Sequence, residues 1–124
     1  MPPPIGRQQD GLTPIVVTTQ QVFNEFAGGV PDMRAVRDYM KFLYDRAPAG
    51  ALPEYLLLFG DGHYDFRGIR TDVPNYVPTF QTENMVNRTT SYTTDDFFGM
   101  LGDNEGNLEA SDSVSFRVDI GVGR

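Results

Sequence analysis

The chain has 124 residues, a formal net charge of −7 and 40% hydrophobic residues, with nine Phe and six Tyr. This apolar content is enough for one modest core and too high for a disordered tail. Its acidity, with Lys41 the single lysine, weighs against nucleic acid and anionic lipid surfaces as partners, since both favour clustered Lys and Arg.

Residues 1–12 read as a flexible lead, with Pro2, Pro3 and Pro4 and few apolar side chains. They lack the basic start and apolar centre of a signal peptide. Ile15-Val16-Val17-Thr18 is a β-branched strand signal. Thr19 is placed to cap a short helix in which Val22, Phe23 and Phe26 share a face, and Gly28-Gly29 ends it.

Asp32 then caps a helix over 33–46, where Met33, Val36, Tyr39, Met40 and Leu43 recur at helical spacing. On this reading Arg34, Arg37, Asp38, Lys41 and Asp45 take the other faces. A turn over 48–53 leads to the apolar run 55–59, which predicts a parallel strand buried on both faces. Strand, helix and strand would form a βαβ unit with a right-handed crossover.

The stretch 60–75 is a loop longer than packing alone needs, which points to function. Residues 76–80 can form a strand that Pro78 confines to an edge or bulge. A polar loop follows over 83–91. Two further strands are predicted over 97–101 and 114–122, joined by the acidic segment 102–113. The aromatic set Phe26, Tyr39, Phe42, Tyr55, Phe59, Phe97 and Phe98 is most economically core.

Three constellations carry candidate chemistry. Asp61, His63 and Asp65 follow the buried strand, where open α/β sheets place their ligands. They would suit an acid–base pair, an oxygen-rich metal site, or a turn in which Asp61 caps its own backbone. Asp95 and Asp96 repel one another unless a cation or donor relieves them, or else one simply caps a turn. Asp103-Asn104-Glu105-Gly106-Asn107 spaces oxygen ligands like a calcium loop. It is not an EF-hand, because Val114 stands where the bidentate Glu belongs, and the plainer reading is an exposed hairpin loop. Gly121-Val122-Gly123-Arg124 reads as a strand end, not a dinucleotide fingerprint. On chemistry alone the metal candidates are Asp61, Asp65, Asp95, Asp96 and Asp103, with one Ca²⁺ expected to tie the Gly60 loop to the Asp95-Asp96 turn. No other cofactor is required.

Taken in order, several segments carry a resemblance. They are Val17-Thr18-Thr19-Gln20-Gln21-Val22-Phe23-Asn24-Glu25-Phe26-Ala27-Gly28-Gly29, Asp32 through Arg37-Asp38-Tyr39-Met40, Leu43-Tyr44, Leu56-Leu57-Leu58-Phe59-Gly60-Asp61-Gly62, Val77-Pro78-Thr79-Phe80-Gln81, Thr94-Asp95-Asp96-Phe97-Phe98-Gly99 and Asp119-Ile120-Gly121-Val122-Gly123-Arg124. The sequence resembles the gingipain-type cysteine peptidase domain, most closely the PorU branch, the sortase of the type IX secretion system. The resemblance implies an α/β, caspase-like three-layer fold with a mostly parallel sheet and an added antiparallel hairpin. Residues 13–124 would be its N-terminal subdomain, cut before the catalytic half.

It further implies secretion to, or retention at, the outer-membrane surface of a Gram-negative bacterium. The parent would cleave or transfer C-terminal sorting signals, with the catalytic second subdomain and protein substrates as partners. The family's catalytic His and Cys would lie beyond Arg124, so no catalytic residue is assigned here and His63 does not take that role. With no cysteine, the segment by itself is not expected to be an enzyme. The alternative is a non-catalytic cell-surface α/β binding module gripping a cation, glycan or protein. A sheet cut between subdomains leaves an open edge or face, so a homodimer of the isolated segment is expected.

Overall fold

A computed structural model describes residues 11–63, 69, 72, 76–81, 93–103, 105 and 117–124. The first helix, α1 (Thr19–Phe26), starts one residue earlier than the capping expectation. Thr18, not Thr19, is its N-cap: its hydroxyl accepts from the Gln21 amide, and the Gln21 side chain accepts from the Thr18 amide. That reciprocal pair satisfies two otherwise orphaned donors. The helix stops where Gly28 and Gly29 take φ of 60° and 86°, values that cost other residues energy. This turn lets the Ala27 and Gly29 amides both reach the Phe23 carbonyl.

Residues 15–17 are not a strand. They pair with no described neighbour, and Ile15, Val16 and Val17 are exposed, so the expected βαβ unit does not form. β-branching favours extended backbone, but a strand also needs a partner.

The second helix, α2 (Met33–Arg46), matches expectation at both ends, and the Asp32 carboxylate accepts from the Arg34 amide. Its buried face carries Ala35, Val36 and Met40, and unexpectedly Arg37. The expected turn follows, closed by the Ala51 amide on the Pro48 carbonyl.

Among the described residues, four short strands follow: β1 (Tyr55–Leu57), β2 (Phe80–Gln81), β3 (Thr93–Thr94) and β4 (Gly121–Gly123). β1 runs parallel to β4, with Tyr55 opposite Gly121 and Leu57 opposite Gly123. β2 and β3 form the antiparallel pair, with Phe80 opposite Thr94. The fold is therefore α/β. Of the expected strand 76–80 only Phe80 is in β2; residues 76–79 are not strand, and Pro78, with no N–H to donate, could not continue it as a paired strand.

Three expectations fail here. The run 55–59 is not buried on both faces: Leu58 is buried and Leu56 partly so, but Tyr55, Leu57 and Phe59 are exposed. One face of the β1–β4 pair packs on the helices, and no described residue covers the other. The run 97–101 is not a strand but a 3-10 helix over Asp96–Gly99. The Thr94 hydroxyl accepts from the Asp96 amide and starts that turn, and the coil drives Phe97 and Phe98 inward together. In the predicted strand 114–122, only Gly121 and Val122, the start of β4, are strand among the described residues.

The core gathers Val22 and Phe23 from α1, Ala35 and Val36 from α2, and Leu58, Val77, Phe80, Phe97 and Phe98. Phe97 is its centre, fully buried, with the Phe80 ring 4.5 Å and the Phe98 ring 5.7 Å away. A smaller cluster of Met40, Leu101 and Ile120 extends it. Of the seven aromatics expected in the core, Tyr55 and Phe59 lie outside it, and Phe42 is 40% exposed and stacked against Arg46. The polar loop over 83–91 lies outside the described residues.

Candidate functional site

Because β1 and β4 are parallel, their carboxyl ends emerge side by side, the position where α/β sheets build sites. The backbone turns sharply at Gly60, whose φ is 152°. A Cβ there would lie 2.8 Å from the Tyr76 Cβ, so only glycine fits. The Asp61 carbonyl then accepts from the Tyr76 and Val77 amides at 3.1 and 3.2 Å. These bonds fasten the start of the long loop to its far end.

Arg124, directly after β4, completes the assembly. Its Nε and Nη2 donate to the two oxygens of Asp95 at 2.9 and 2.7 Å. Nη1 donates to the Gly60 and Val77 carbonyls at 2.6 and 2.7 Å, and Nη2 also reaches the Pro78 carbonyl at 3.3 Å. Every one of the guanidinium's N–H groups is thereby used. Arg124 cannot bind an incoming anion without releasing a wall of the site.

The Thr79 hydroxyl donates to Asp95 Oδ1 at 2.9 Å. Around this tie lies an open cavity of about 500 Å³ lined by Asp61, Gly62, Tyr76, Thr79, Thr93, Asp95 and Arg124. Asp61 and Asp95 are thus brought to one site, as the sequence suggested. His63 does not line it, and Asp65 lies outside the described residues. Asp96 is exposed at the start of the 3-10 helix and does not line the cavity.

The tie between the Gly60 loop and the Asp95 turn, expected from Ca²⁺, is made by the Arg124 guanidinium. Asp103 likewise already holds a cation: Lys41 Nζ lies 2.8 Å from both Asp103 and Asp45 and 3.2 Å from the Leu101 carbonyl. Among the described residues, no three His, Cys, Asp or Glu side chains stand close enough to hold a metal. The bonds from Asp103 and Asp45 hold the Lys41 ammonium above its ordinary pKa, and Lys41 holds Asp103 below its own.

Besides Arg124, two further charged side chains escaped the sequence reading. Arg37, 7% exposed, donates to the Met100 and Gly102 carbonyls, both at 3.0 Å. Glu105, assigned above to an exposed loop, is buried and accepts from the Gly102 and Arg117 amides at 2.8 and 2.6 Å. Together with Lys41 they hold residues 100–103 against α2. The remainder of the acidic segment falls outside the described residues.

The Arg124 hydrogen bonds hold the Asp95 carboxyl below its ordinary pKa of 3.8, aided by Thr79 and opposed by burial. As pH falls, the unfolded chain therefore takes up this proton first. The stabilisation is complete above the unfolded value and disappears as pH drops through the lower folded-state value. Urea midpoints recorded from about pH 6 to about pH 2 should fall more steeply for the wild type than for Asp95→Asn. Parallel curves would mean that the pair contributes nothing.

With this geometry in place, the comparison with known families is decisive: the model of peptidase family C25 matches residues 6–124. The chain belongs to that family. C25 is the gingipain family of cysteine peptidases. No curated protein and no solved structure matches the chain. Nothing in this C25 chain can serve as a thiol nucleophile, since it contains no cysteine. Its described elements form an α/β framework with the Arg124-tied loops at the strand ends.

Proposed function

We propose that this chain is the N-terminal scaffold half of a gingipain-like cysteine peptidase domain of the PorU-type sortase branch. The parent protein would cleave or transfer C-terminal sorting signals of secreted proteins at the outer-membrane surface of a Gram-negative bacterium. Its catalytic His and Cys would come from a second subdomain of the same polypeptide. The reading rests on the C25 match across residues 6–124 in a chain with no cysteine. The Arg124 tie supports it, because a scaffold must hold strand-end loops rigid before another segment can present a nucleophile beside them.

The test is the full parent polypeptide assayed on a peptide ending in a sorting signal, with and without a thiol alkylator. Alkylator-sensitive cleavage or transfer is the expected result. A well-folded parent with no such activity would instead favour the cell-surface binding module, with the Asp61 and Asp95 cavity as its grip.

A further inference from the structure

We draw no further inference here: the strongest candidate, the open cavity at the strand ends lined by Asp61, Tyr76, Thr93 and Asp95, belongs to the site already described, and with Asp95 spent on Arg124 and Thr79 nothing in the structure shows what fills it.

Discussion

Arg124→Ala is expected to destabilise the fold by about 2–3 kcal/mol and to loosen the walls of the candidate site. Breaking a buried ion pair costs about 3–5 kcal/mol. The Arg124 and Asp95 side chains are 20% and 28% exposed, so water softens part of that loss. What remains is substantial because one guanidinium serves the Asp95 carboxylate and the carbonyls of Gly60, Val77 and Pro78 together. Val77 and Pro78 are buried, and their carbonyls would be left without that donor.

Arg124→Lys should recover less than half of the loss, because an ammonium keeps the charge but not the fork that meets both Asp95 oxygens. Urea denaturation measures the cost, and amide chemical shifts of Gly60 and Val77 report the loops. If alanine changed the midpoint free energy by under about 0.5 kcal/mol, the range of an ordinary surface substitution, the tie would be only a surface contact.

Phe97→Ala is expected to cost more, about 3–5 kcal/mol. The ring is fully buried and packs on Phe80 and Phe98, where both helices and the strand ends converge. Total stability for a domain is about 5–15 kcal/mol, so the variant should lose fixed packing, visible as a collapsed near-ultraviolet circular dichroism signal. Phe97→Leu, which retains most of the volume, should cost about 1–2 kcal/mol. Phe59→Ala is the sharp contrast, with a change within about 0.5 kcal/mol, since the monomer makes little use of that ring. Equal losses at Phe97 and Phe59 would overturn the core described above.

These contrasts show where a linear reading stops. The helices were legible because their determinants are local. Asp32 caps α2, its apolar residues recur at helical spacing, and Gly28-Gly29 ends α1. Even the misplaced cap at Thr19 was a matter of one residue, and the Thr18-to-Gln21 spacing held the signal that corrects it.

The apolar runs were legible as apolar and no further. Phe97 and Phe98 were rightly placed in the core, but a short run does not distinguish a strand from a tight helical turn. The run 55–59 announced a strand, yet whether a second face is covered depends on what else packs there. Nothing within five residues encodes that.

The site divides the same way. The sequence marked Asp61 and Asp95 as belonging at neighbouring strand ends, and the cavity joins them. It gave no sign that the Arg124 guanidinium bonds both segments. Arg37 was assigned to a solvent face, and it is buried on the carbonyls of Met100 and Gly102. Both arginines were missed for one reason: most of their acceptors are main-chain carbonyls some 46 to 65 positions away. Every residue has a carbonyl, so such a partner leaves no mark in the order of side chains.

By itself the sequence determined the helices, the Asp32 cap, the apolar segments and a family resemblance that the C25 match supports, because each depends on residue type at short spacing. Tertiary structure alone decided which face of β1 stays bare, that Phe97 lies in a 3-10 helix rather than a strand, and that an arginine closes the site. Those outcomes depend on main-chain groups and surfaces that come together only when distant segments pack.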